Sequence, residues 1–233
     1  MGRVFQVEWR KLRRTWVWPL IGLGPFGVLS LNWLRYTIDA YRPVHGWPWL
    51  IGGVGSVLVP SLVIGVTIIA SLIAGMEHRG RMWKELLTLP VPKASLYGAK
   101  LLMLATLLAL AAGACAGGTW LLGLGLGYPP GIPWAAILQV AFYPYLAAYA
   151  LMALQLLLSV IWPNQAVAVA IGIAGLLAAM LPFTPDWLPW RYPELALAQG
   201  SGPALPQYVL LGVALGAALT LVGLWSFQRQ DHP

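Results

Sequence analysis

The sequence predicts an all-α, polytopic membrane protein, a single transmembrane domain over residues 1–233 with six transmembrane helices. Three observations carry that prediction. The first is composition: 59% of residues are hydrophobic and only 9% are charged, against roughly a quarter charged in an ordinary soluble domain. Seven acidic and 14 basic residues cannot cover a water-facing surface on a chain of 233. The second is the length of the uncharged runs. Thr15–Leu34, Pro43–Met76, Leu101–Pro185 and Leu195–Gln228 contain no Asp, Glu, Lys or Arg. A helix that crosses a bilayer needs only about 20 apolar residues. The third is the placement of the basic residues, which falls into register with an even number of crossings.

The spans follow in order. The first covers about 15–34 and is read as a retained span, because it ends in "NWLRYTIDAYR" with no small-x-small cleavage site. The second covers about 49–75. The long run after Lys100 is divided by two breakers: "YPPGIP" (128–133), a proline-rich turn, and "WPNQ" (162–165). This gives spans at about 101–127, 134–161 and 166–181. The sixth covers about 207–225.

Lysine and arginine concentrate at cytoplasmic span ends. With six spans, Arg3, Arg10, Lys11, Arg13, Arg14, Arg79, Arg81, Lys84, Lys93, Lys100 and Arg229 share one side, and only Arg35, Arg42 and Arg191 face the other. Both termini are therefore expected to be cytoplasmic. Trp16, Trp18, Trp33, Trp49, Trp134, Trp162 and Trp225 stand near span ends, where an amphipathic ring prefers the headgroup layer. The external segment 182–206 opens with "PFTPDWLPWRYPELALAQG". Its prolines and the pair Trp187 and Trp190 predict a segment on or in the outer membrane face. A short helix is expected to start near Pro193, with Glu194 at its positive end. That segment reads equally as an anchor or as part of a gate.

Several chemistries are excluded or disfavoured. The sequence holds no GxxxxGK[ST] phosphate loop and no HExxH, and no acidic residue stands mid-span. No catalytic residue and no metal ligand set is expected. The lone Cys115 reads as a small buried residue. The net charge of +7 is accounted for by the basic cytoplasmic ends meeting anionic lipid, not by nucleic acid. Asn32, Thr67, Gln139 and Gln155 are expected to hydrogen-bond between helices. Two GxxxG motifs, Gly113–Gly117 and Gly212–Gly216, are expected to admit close helix packing, within the chain more readily than between chains.

One region gathers charge. "EHRGRMWKELLTLPVPKASLYGAK" (77–100) holds seven of the chain's 21 formal charges. On a helix from Glu77 to Leu89, Met82, Leu86 and Leu89 form an apolar stripe with Trp83 and Leu87 beside it. Glu77 with Arg81, and Arg81 with Glu85, are i,i+4 opposite-charge pairs. "LPVP" ends the helix, and Ser95 is the expected N-cap of the next. A short amphipathic cytoplasmic helix of this kind either lies in the headgroups or docks a partner protein.

The ordered combination of "EHRGRMWKELLTLPV" (77–91), "EWRKLRRTW" (8–16), six spans and a proline-rich segment before the last span resembles the permeases of type-2 ABC exporters, the ABC-2 family. At this length, without a soluble domain, the chain is most similar to antibiotic-peptide efflux and immunity permeases, including the lantibiotic and bacitracin protection groups. The resemblance implies a permease in the plasma membrane that works as a homodimer or heterodimer. It implies a separate cytoplasmic ABC ATPase subunit that binds ATP and Mg²⁺, with no cofactor on this chain. It also implies an ATPase-coupling region at 76–100, in which Glu77, Arg79, Arg81, Trp83, Lys84 and Glu85 form the surface that meets the ATPase. The competing readings are a stand-alone carrier or channel, an integral membrane enzyme, and an anchoring subunit.

Overall fold

The structure is a computed structural model. It describes residues 5–6, 9–10, 15, 17–38, 46–79, 93–199 and 205–229. Helix is the only regular secondary structure among them: α1 (Val17–Ile38), α2 (Trp47–Arg79), α3 (Lys93–Gly125), α4 (Trp134–Ala147), α5 (Tyr149–Ile161), α6 (Gln165–Ala179), a 3₁₀ turn (Pro189–Arg191), α7 (Tyr192–Ala198) and α8 (Gln207–Arg229). In hydrocarbon every backbone N–H and C=O must be satisfied within the segment, and an apolar helix does this.

Among the described residues, five helices are long and apolar enough to cross a membrane: Val17–Ile38, Trp47–Met76, Ala94–Gly125, Trp134–Ile161 and Gln207–Phe227. The residues of the expected fifth span form α6, an apolar helix of only 15 residues. At 1.5 Å per residue it is about 22 Å long. Its start is set by Asn164, whose side chain accepts from the Ala166 N–H at 3.1 Å.

One sequence expectation needs correction. Ser95 caps nothing: α3 already begins at Lys93, so Ser95 stands inside its first turn. Residues Trp134–Ile161, expected as the fourth span, form one long apolar stretch made of two consecutive helices. Pro144 has no N–H to give, and the chain passes from α4 to α5 through Ala148. The Ala148 N–H still reaches the Pro144 carbonyl at 2.9 Å, so the hydrogen-bond ladder continues across the junction.

The core has two main apolar clusters at opposite ends of the bundle. At one end, Val17, Ile73, Tyr97, Leu104, Val160 and Phe227 bring together the first turns of α1 and α3 and the last turns of α2, α5 and α8. At the other, Val28, Trp47, Leu50, Cys115, Tyr128 and Ile137 join α1 to α4. Trp47 pins that end, donating to the Pro129 carbonyl at 3.0 Å and meeting Tyr128 edge to face. Burial pushes the Tyr128 phenol above its ordinary pKa. The Gly212–Gly216 motif packs within the chain: α8 lies so close to the α4–α5 junction that a Cβ at Gly212 would meet the Ala147 backbone, and one at Gly216 would meet Tyr149. The Gly113–Gly117 motif has no such neighbour.

Candidate functional site

Two regions bear on function: the charged connection between α2 and α3, and the segment between α6 and α8. Of the expected coupling residues, Glu77 and Arg79 belong to the last turn of α2. Arg81, Trp83, Lys84 and Glu85 lie outside the described residues. The helices that frame the connection are joined to the bundle. Ile73 and Ala74 of α2 share one apolar cluster with Leu96 and Tyr97 of α3 and Phe227 of α8. Lys100, which charge placement assigns to a membrane edge, is buried two turns into α3 with 1% exposure. Phe5 and Trp9 pack against the same cluster, and Trp9 stands edge to face with Trp18 of α1 at 5.5 Å. Phe5 and Trp9 are thus tied to the end of the bundle that carries the charged connection.

The segment after α6 does not extend away from the bundle. It folds back along α6. Thr184 donates to the Ala178 carbonyl, the last turn of the helix. Arg191 donates to the Thr184 carbonyl at 2.5 Å and pairs with Asp186 at 2.6 Å, which closes the turn. Trp190 reaches furthest: its indole Nε1 donates to the Gly172 carbonyl at 3.2 Å. Its ring fills the space over Gly175, where a Cβ would collide with it. Gly172 is seven residues before the end of α6, about 10 Å along the helix.

The expected short helix is there. α7 runs Tyr192–Ala198 with Pro193 in its first turn and Glu194 at its N-terminal end. Tyr192, Ala196, Val209, Ala147 and Ala150 form a third apolar cluster that holds α7 against α4, α5 and α8. Tyr192 also donates to the Trp187 carbonyl at 3.0 Å. Leu197 sits at Gly55 and Val140, eight residues into α2 from Trp47. Trp190 and α7 therefore lie among the helices. The two tryptophans named from sequence part company: Trp187 is 71% exposed, while Trp190 is inserted.

The polar residues divide likewise. Gln155 bridges α5 and α6, donating to the Ala168 carbonyl at 2.6 Å. Asn32 and Thr67 instead return to their own helices, at Val28 and Val63, and Gln139 reaches Tyr143 within α4. Sequence reasoning missed three links between helices. Ser71 meets Gln165 at 3.1 Å, Tyr145 meets the Ala105 carbonyl at 3.1 Å, and Tyr149 meets Thr220 at 3.1 Å. Hydroxyls on Tyr and Ser inside an apolar run are the signal that could have found them. No group of three or more His, Cys, Asp or Glu able to hold a metal occurs among the described residues.

A family model described as ABC-2 family transporter protein matches residues 4–179. No curated protein and no solved structure matches the chain. The match runs from the residues before α1 to the last residue of α6, and includes the charged connection. By that match, and with a bundle of apolar helices to carry it, the chain belongs to the ABC-2 transporter family.

Proposed function

We propose that this chain is the permease subunit of an ATP-driven exporter, moving a lipophilic or amphipathic cargo such as an antimicrobial peptide out across the plasma membrane. The family match over residues 4–179 carries the reading. Permeases of this family normally pair with an ABC ATPase. The partner chain binds ATP and Mg²⁺ and supplies the energy. Glu77, Arg79, Arg81, Trp83, Lys84 and Glu85 form the surface it grips, and two permeases, identical or different, enclose the pathway. A role in antibiotic resistance of the lantibiotic-immunity kind follows from the resemblance at this chain length.

The reading includes six crossings with both termini cytoplasmic. The basic asymmetry supports it. So does the apolar surface beyond α6, which continues through the exposed Leu181, Phe183 and Trp187. The short fifth crossing is completed by that turn. On this topology the inserted Trp190 and α7 close the outer side between α2, α4, α6 and α8. Cargo without strong charge suits a pathway whose spans carry no mid-span acid.

The test is co-purification from the native host in mild detergent, with wild type and an Arg81→Ala/Glu85→Ala double variant. An ABC ATPase that binds the wild type and is lost from the variant supports the reading and its coupling surface. If no ATPase binds an intact permease, the stand-alone carrier takes its place, and transport by the lone protein in liposomes decides that.

A further inference from the structure

A cleft of about 60 Å³ lies between α1, α2 and α3. Gly24 and Pro25 of α1, Ser61 and Gly65 of α2, and Leu108 and Cys115 of α3 line it. Its position is fixed by α2: Ser61 stands 14 residues from Trp47 at one end, and Gly65 stands 14 residues from Arg79 at the other. The cleft is therefore at mid-helix, at hydrocarbon depth. It exists because two glycines withhold their side chains. A Cβ at Gly24 would meet nothing within 4 Å, and one at Gly65 would meet only Leu108, at 3.6 Å. Gly24, Ser61 and Gly65 are half-buried, so the cleft opens to the protein's apolar surface.

Water does not suit this space. A cavity needs at least roughly 10–15 Å³ of such volume to hold a water, and each water needs two to four polar partners. Among the described residues, the only polar side-chain groups on the wall are the Ser61 hydroxyl and the Cys115 thiol. What a bilayer offers at that depth is alkyl chain, and an alkyl chain asks for no hydrogen bond. We propose that the cleft binds the terminal part of a phospholipid acyl chain, held between α1, α2 and α3. The bilayer supplies this ligand continuously, so the site is filled whether or not cargo is present, and the proposal stands apart from the transport reading. A chain there wedges α1 against the α2–α3 pair and makes the packing of the first span a property of protein and lipid together.

The experiment uses the full chain in bilayer nanodiscs containing a phosphatidylcholine with a diazirine near the terminal methyl of one acyl chain. After illumination, adducts are located by fragmentation mass spectrometry. Adducts on Gly65, Leu108 and Cys115 are expected in excess over those on Leu110 and Leu177, which are apolar and 48% and 61% exposed. Gly65→Leu, with or without Gly24→Leu, fills the cleft and should remove the excess while leaving the Leu110 and Leu177 adducts unchanged. Gly65→Ala makes only an ordinary contact with Leu108; it folds where the larger variant fails, and should give a partial loss. Cleft adducts no more frequent than those on Leu110 overturn the proposal. So does an excess that survives filling in any variant that remains monodisperse.

Discussion

Trp190 donates from its indole to the carbonyl of Gly172 at 3.2 Å, deep within a helix that lies 18 residues earlier in the chain. The bond needs α6 to expose a backbone carbonyl at that height. Gly175, one turn further on, leaves the space that the ring occupies, while Gly172 itself packs against Thr67 of α2. An indole N–H left unpaired in hydrocarbon costs several kcal/mol at the upper end of transfer estimates, roughly 2–7. The bond therefore fixes the ring in one place, and with it the turn from Pro182 to Arg191.

Gly175→Val should expel the ring. Overpacking of this kind costs about 1–3 kcal/mol. The expected readouts are a shift in tryptophan emission and new protease cleavage near Trp187–Arg191, with the spans still folded. Trp190→Phe keeps an aromatic ring over Gly175 but loses the N–H and part of the indole's volume, and should give a smaller loss of thermal stability and no new cleavage.

Gly212→Val should be among the most damaging single changes in the chain. Its Cβ falls on the Ala147 backbone, which cannot swing aside as a side chain would. A loss at or above the usual overpacking range of about 1–3 kcal/mol is expected in detergent unfolding. Gly113→Ala, where nothing lies within 4 Å, should be neutral or slightly stabilising through helix propensity.

Gln155→Leu removes the bridge from α5 to the Ala168 carbonyl. Interhelical hydrogen bonds in membranes are worth about 0.6 kcal/mol on average and up to about 2. Because Gln155 is only 3% exposed, the upper part of that range is expected by equilibrium unfolding in mixed micelles. Gln139→Leu loses only a 3.4 Å contact within its own helix, and the same assay should barely register it.

Arg191→Ala should loosen the turn more than Asp186→Asn. The arginine holds both the Thr184 carbonyl and the Asp186 carboxylate, whereas the aspartate, 57% exposed, contributes only an ion pair in contact with solvent. Such a pair is worth about 0–1 kcal/mol. Protease sensitivity of the turn should rise with salt in wild type and be independent of salt in Asp186→Asn.

The bundle was readable from sequence because lipid makes its demands in long uncharged runs and breaker clusters, and both are local. "YPPGIP" and "WPNQ" divided the chain where the helices do end, at Gly125 and Ile161. The start of α7 was readable for the same reason, in the Pro193–Glu194 pair. What was not readable is long-range. Nothing local to Trp190 says that it belongs over Gly175, and nothing in Trp187 says that it does not. Ser95 misled because a serine after two prolines has the look of a cap, while packing of Leu96 and Tyr97 into the core carries the helix back to Lys93. Of the coupling surface, Glu77 and Arg79 continue α2, and the other four residues lie outside what the structure describes.

The unequal heights of the helices have a physical consequence. α2 runs 33 residues and α6 only 15, about 50 Å against 22 Å. A bilayer of uniform thickness cannot match both. On the six-crossing topology proposed above, α6 with the apolar turn after it is a short crossing, so the hydrocarbon thins toward the protein there, while around α2 the helix tilts, at a cost of a fraction of a kcal/mol for each ångström of mismatch. That topology gives the protein a built-in hydrophobic mismatch, through which the acyl-chain length of the host membrane enters its energetics. Reconstitution across phosphatidylcholines of increasing chain length should show a thermal stability with an optimum, falling off in thick bilayers first, where the short crossing at α6 is stretched beyond its reach.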